Sequence, residues 1–403
     1  MASPSLDCEV NHDAFDNGNV IGYKTECSET VERDETKPQK MPSKTISRRS
    51  LDLTISFAKD QWFLIVMGIL IVVASQAPVP LSQQKTKTNV INYLAVSLIF
   101  FLNGCAIPSR DFLENLKRWR VHIFVQLQSF VLASAVGFGV MAATGSNAQF
   151  FDQELLVGVI VLGCLPTAIA FNTLITRKAD GNTALSLTQS ALGNILGPFL
   201  SPVLVRMYTS VHAWYTTGLP SDQDGYRDLY ARVFKQLGLS VFVPLAAGQI
   251  TLALCPNITR TALYKYKLIK LPSLALLTLI WSTYDSAFAS HAFAPLPASN
   301  IVFTISILAA LYLVWAGLAF VLSLTWLAPE NVVAVVFVVA TKTPAIGVPL
   351  TGVLFAGLEE ERLDRMRVAT VVFQALQALL SGVLCVPLRR WRGRMERRSG
   401  TGR

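Results

Sequence analysis

The sequence predicts an all-α membrane protein with ten transmembrane helices, arranged as two inverted five-helix repeats. Three observations lead there. The 403 residues are 52% hydrophobic and only 15% charged, with a mean hydropathy of +0.44, which excludes an ordinary soluble globular chain. Ten apolar stretches approach the ~20 residues that cross a bilayer. Two of those stretches are interrupted by proline and polar residues 178 positions apart, at Pro166 and Pro344. Paired interruptions of this kind point to a binding site between two halves of a transporter.

In chain order, residues 1–55 are polar and rich in Ser, Thr, Asp, Glu and Lys, and are expected as a disordered cytoplasmic tail. No apolar h-region of a signal peptide opens them. A ten-helix domain is expected over 56–390. Its spans lie at 61–80, 90–107, 121–143, 155–176, 184–208, 234–255, 271–289, 301–324, 332–357 and 368–388. Pro78, Pro108, Pro256, Pro329 and Pro387 punctuate their ends. Residues 391–403 are expected as a basic cytoplasmic tail, suited to anchoring at an anionic lipid surface.

Charge placement gives orientation. Residues 1–60 carry a net charge of −3 and the remainder +12, with the positives in loops between apolar runs. That pattern reads as a topology signal facing a lipid bilayer rather than as a nucleic-acid surface. With the N-terminus cytoplasmic, 23 Lys and Arg flank the spans on the inner side and 9 on the outer, so both termini are expected inside. Two halves of five spans each must then be inverted relative to one another.

The residues that can carry chemistry cluster at the interruptions. The first, LPTAIAFNTLITRKADGNTALSLTQSALGNILGPFLSP (165–202), breaks at Pro166 and places Asn172 on the following half-helix. Ser186 and Ser190 lie four residues apart, on one face of the next span. Neutral oxygens at a helix break suit a cation or a polar solute, and equally suit ordinary hydrogen bonding between helices. The second interruption, ATKTPAIGVPLTG (340–352), carries Thr341, Lys342 and Thr343, with further breaks expected at Pro344, Gly347 and Pro349. A lysine inside a span is costly enough to be read as functional. Its ammonium either holds an anionic substrate or takes the place of a coupling cation. Asp285 is read as a carboxylate that titrates with transport, pairs with a basic residue or caps a helix at the interface. Gln126, with Gln128 and Gln189, either lines a cavity or joins helices. The four histidines are scattered, and the chain has neither a phosphate-binding loop nor a nucleophile–base pair. The protein is expected not to be an enzyme or an ATP-driven pump. The six cysteines form no CxxC pair, and no structural metal is expected.

The 165–202 stretch resembles the bile acid:sodium symporter superfamily, as do FFLNGCAIPSRDFLENLKRWRVHIFVQLQSF (100–130), WSTYDSAF (281–288) and TKTPAIGVPL (341–350). The similarity is to its SBF-like branch, which holds the seventh member of solute carrier family 10 and the fungal regulators of calcium homeostasis. It covers roughly residues 55–390. The resemblance implies discontinuous helices four and nine that cross in a core domain, with spans one, two, six and seven forming a panel. It also implies a sodium site at Asn172, Ser186 and Ser190, and a second one that uses Gln126. This sequence departs from the pattern at Phe171, where the sodium-coupled relatives have Ser. It departs again near Phe337, where they carry an intramembrane glutamate. Lys342 stands at the crossing instead, which argues against sodium coupling, and no other cofactor is expected.

Two functions follow from the resemblance and the residues together. One is a symporter-like carrier that moves a small organic anion or polar solute by alternating access and restrains calcium influx at the plasma membrane. The alternative is a non-transporting regulator of calcium entry, acting through a calcium channel or another regulatory protein.

Overall fold

The computed structural model describes residues 62–106, 117–147, 150–220, 231–232, 234–293 and 296–398. The tail expected over 1–55 lies outside the described residues. The described residues fold into helices alone: α1 (Trp62–Gln76), α2 (Leu81–Ala106), α3 (Trp119–Thr144), α4 (Gln153–Gly163), α5 (Ile169–Lys178), α6 (Thr183–Thr209), α7 (Phe234–Leu254), α8 (Pro256–Tyr264), α9 (Leu271–Ala289), α10 (Ala298–Ser323), α11 (Pro329–Ala340), α12 (Pro344–Leu354) and α13 (Glu360–Arg398).

Six helical stretches among the described residues are individually long and apolar enough to cross a membrane: 82–106, α3, α7, α10, the α11–α12 pair and α13. The apolar part of α1 and all of α4 are shorter. The expected fourth span is divided because Pro166 lacks the N–H that would continue α4, leaving 164–168 non-helical before α5 begins. α6 carries buried polar residues along its length, and α9 carries them over its C-terminal part, from Ser282 to Ser286.

Local chemistry sets the ends of these elements. Asp152 caps α4, its Oδ1 accepting from the Leu155 amide at 3.0 Å, with Glu154 in the first turn facing the positive end of the helix dipole. Asn182 caps α6 in the same way, accepting from Leu185 at 3.0 Å. Between α5 and α6 the chain turns through Asp180 at a φ of 56°, and Gly181 follows so tightly that a Cβ there would come within 2.7 Å of Val333. Proline occupies the first turn of α11 and of α12, where the missing N–H costs nothing.

Two sets of helices pack among themselves. α2 lies against α7 and α9, and α9 against α1. The α2–α7 contact is made at backbone distance, since a Cβ on Gly104 would strike the Leu245 carbonyl and one on Gly248 the Phe101 carbonyl. Around the broken helices, α4 lies on α13 and α3, α5 on α6, and α11 on α10, α6 and α13. A Cβ on Gly158 would strike the carbonyl of Met366, so α4 and α13 also meet at backbone distance. The α11–α12 pair is buried throughout its most apolar stretch, whereas α7 and α10 turn Ile250, Leu254, Val302 and Val321 outward. Outward faces of this kind match a hydrocarbon surrounding.

α13 has 39 residues and so runs ~58 Å, well beyond the ~30 Å of a hydrocarbon layer. Residues 391–398, expected as part of a tail, continue this helix, and Trp391 packs edge-on against Phe320 with ring centroids 5.0 Å apart.

Candidate functional site

The two interruptions meet at the centre of the second set. Residues 164–168 join α4 to α5, residues 341–343 join α11 to α12, and the Thr343 amide donates to the Pro166 carbonyl at 2.9 Å. Close approach requires glycine on both sides. A Cβ on Gly197 of α6 would come within 2.7 Å of the Pro166 ring, and one on Gly347 would strike Leu165. Gly347 and Pro349, expected as further breaks, lie inside α12. Only three residues, 341–343, leave the helical path, because Pro344 at the N-terminus of α12 already supplies the discontinuity. Gly347 serves the close approach to Leu165 instead.

One face of the crossing is a ring of neutral hydrogen bonds. The Thr341 hydroxyl donates to Asn172 Oδ1 at 2.6 Å and lies 2.8 Å from the Thr167 hydroxyl. Asn172 Nδ2 donates to Thr167 Oγ1 and, at 3.1 Å, to Ser190 Oγ. Asn194 Nδ2 donates to the freed Thr167 carbonyl at 2.7 Å, and Ser201 to the Cys164 carbonyl at 2.7 Å. Backbone groups orphaned by the break are thus satisfied by α6, as burial demands. Ser186 sits one turn away and accepts from Thr176 at 3.1 Å.

Lys342 forms the other face. Its side chain is wholly buried, and its ammonium donates to the carbonyls of Ser129 at 2.7 Å and Leu165 at 2.9 Å. The Leu165 carbonyl is free because α4 has ended. Ser129 lies within a π-helical segment of α3, Leu127–Leu132, where the regular hydrogen-bond ladder is interrupted. The Trp315 ring lies 5.3 Å from the ammonium, within cation–π range. The peptide groups of Lys342 are also paired. Gln377 accepts from its N–H at 2.8 Å and donates to its carbonyl at 2.9 Å, so one amide side chain replaces the missing helical turn.

The other expected site residues lie nearby or elsewhere. Gln126 donates to the Gln189 carbonyl and side-chain oxygen, both at 3.0 Å, bridging α3 to α6; its own Oε1 is buried without a partner, facing Gly193. Asp285 is not brought to the crossing by its bonds. It is fully buried, accepts from the Val79 amide at 3.0 Å and from Gln84 at 2.8 Å, and pairs with Lys87, tying α9 to the start of α2. Thr167, Ser129, Gln377 and Gln374, which accepts from Gln377 Nε2, belong to the site but were not expected in it. Two glutamines three residues apart in the apolar run 368–388 are the signal that would have found the latter pair.

The two freed carbonyls at the crossing are taken up by the Lys342 side chain. Phe337, near which the resemblance implies an acid in the sodium-coupled relatives, is fully buried in α11. Among the described residues, no carboxylate forms an ion pair with Lys342.

Residues 61–390 match the SBF-like CPA transporter family. The chain is 32% identical over 374 residues to the solute carrier RCH1 of Candida albicans, covering 84% of this chain and 90% of that one. It is 30% identical over 374 residues to the solute carrier RCH1 of Saccharomyces cerevisiae, covering 83% and 85%. Over 346 residues it is 25% identical to sodium/bile acid cotransporter 7 of Mus musculus, covering 83% and 94%.

Proposed function

This chain belongs to the SBF-like CPA transporter family, and on that premise we propose that it is a secondary transporter for a small organic anion or polar solute. It is an integral, multi-pass membrane protein. In this reading the ten segments span the bilayer as inverted halves with both termini cytoplasmic. The helices around the crossing form the core, α1, α2, α7 and α9 form the panel, and transport proceeds by alternating access between them. The observation that carries the proposal is the buried ammonium of Lys342 at the meeting of two broken helices. A lysine is retained there although burying its charge is costly, and its Nζ faces backbone carbonyls that a regular helix would not expose.

The ammonium holds the two interruptions together as a bound cation would, so the carrier works without sodium. The Asn172–Thr341–Ser190 ring supplies neutral donors and acceptors that reorganise to take a polar solute. The resemblance to the fungal branch adds a physiological role at the plasma membrane, namely restraint of calcium entry. Cytosolic calcium after an extracellular calcium pulse tests this in cells lacking the protein. Wild type should restore a restrained response, and Asn172→Ala or Lys342→Ala, present at the surface in equal amount, should not. Full restoration by both variants would remove the crossing from the mechanism. In that case a form lacking residues 1–50 and 389–403 tests the alternative, a regulator working through partner proteins, which should lose function with its tails.

A further inference from the structure

The two sets of helices are held together differently from the way each is held internally. Within each set, backbones meet across glycine, as Gly104 with Leu245 and Gly158 with Met366, contacts that cannot open without large loss of packing. Between the sets, at the end where α9 finishes and α13 begins, the joint is polar. Ser286 of α9 and Ser290, just past its end, both donate to Asp364 Oδ2 of α13, at 2.7 and 3.0 Å. The adjoining Arg365 Nε donates to the Ala292 carbonyl beyond α9 at 3.0 Å.

Asp364 is fully buried, and its other oxygen accepts from Arg367 Nη1 at 2.9 Å. Arg367 is itself buried, with its Nε unpartnered, and its guanidinium passes so close to Gly352 that a Cβ there would lie 2.7 Å from Nη2. The carboxylate therefore links α9, α13 and, through Arg367, the half-helix α12 that begins at the crossing. On its far side α13 is anchored to the start of α4, where Arg362 Nε bonds Glu154 at 2.6 Å and Arg365 pairs with Asp152 at 3.4 Å. At the opposite end, the following bonds between described residues run inside each set. Gln249 donates to the Gly104 carbonyl at 2.6 Å, Asn182 to Asn331 at 2.9 Å, and Arg389 pairs with Asp180 at 2.6 Å.

Hydroxyl–carboxylate bonds exchange for bonds to water at small net cost, whereas interlocked backbone does not. A joint built this way holds a closed end and still releases it. We propose that Asp364 is the latch of this end, pinning Ser286 and Ser290 so that the crossing is reached only from the opposite end until the latch opens. The inference rests on the transport reading, because a latch has meaning only between sets that move.

The test uses Thr370, a buried residue of α13 that lies beside Gly347. In full-length Thr370→Cys protein, labelling at position 370 by a membrane-impermeant maleimide is followed by peptide mass, in sealed vesicles of both orientations. Adding Ser286→Ala with Ser290→Ala, or Asp364→Asn, should speed labelling from the latched end about tenfold or more. The serine pair leaves Asp364–Arg367 intact, so it carries the test if Asp364→Asn fails to fold. If position 370 is labelled from the opposite end in all forms and the added substitutions change neither rate, the latch is wrong and the transport reading stands. If it is labelled from neither end in any form, both fall.

Discussion

Lys342 shows how a single buried charge is made tolerable. Two carbonyls freed by different irregularities, the end of α4 and the π segment of α3, converge on its ammonium, while Gln377 pairs both of its peptide groups. Removing the amide should be expensive. Gln377→Leu leaves a buried N–H and a buried C=O unpaired, each costing about 1–3 kcal/mol, and should lower the thermal unfolding midpoint in detergent. Thr341→Val removes the hydroxyl that reaches Asn172 while preserving shape, and should cost a similar ~1–3 kcal/mol by the same measurement. An unchanged midpoint in either variant would mean that water replaces the lost partner. At this scale the sequence marked Lys342, Asn172 and Thr341 by chemical type, since each is polar within an apolar run. It could not mark Ser129, which contributes a backbone carbonyl that every residue type carries.

The elements owe their tight meeting to glycine. Gly158 sits where α4 and α13 touch at backbone distance, whereas Gly139 of α3 has open space around its Cβ position. Gly158→Ala should therefore push the helices apart and cost at least ~1–3 kcal/mol as overpacking, read as reduced yield and a lower unfolding midpoint. Gly139→Ala should be neutral, or stabilising by up to ~1 kcal/mol through helix propensity. Equal behaviour of the two would contradict the packing described. Pro166 and Pro344 announced the discontinuities in the sequence, because a proline has no N–H to give a helix. Gly347 and Pro349 looked like the same signal and were not, since a glycine inside a helix serves close packing as readily as a break, and nothing local separates the two.

For the whole molecule, an ammonium fixed at the crossing predicts independence from sodium. If the protein restrains calcium entry as proposed, replacing external sodium with N-methylglucamine should leave that restraint unchanged. Sodium-stimulated function that persists in Lys342→Ala would place a cation site elsewhere. The same view assigns Asp285 to the α2–α9 junction rather than to the site. A buried aspartate reads alike from sequence in either place, and only its proximity to Lys87, Gln84 and the Val79 amide decides between them.

A helical membrane protein with two interruptions was legible from the residues alone. Apolar run length, proline and charge placement are local properties, and local properties survive without a fold. That the interruptions touch, that Lys342 is held by Ser129 and Leu165, and that Asp364 reaches Ser286 and Ser290 emerges only in the folded chain. These contacts join residues tens to hundreds of positions apart, and their partners are set by how helices pack rather than by any pattern within one of them.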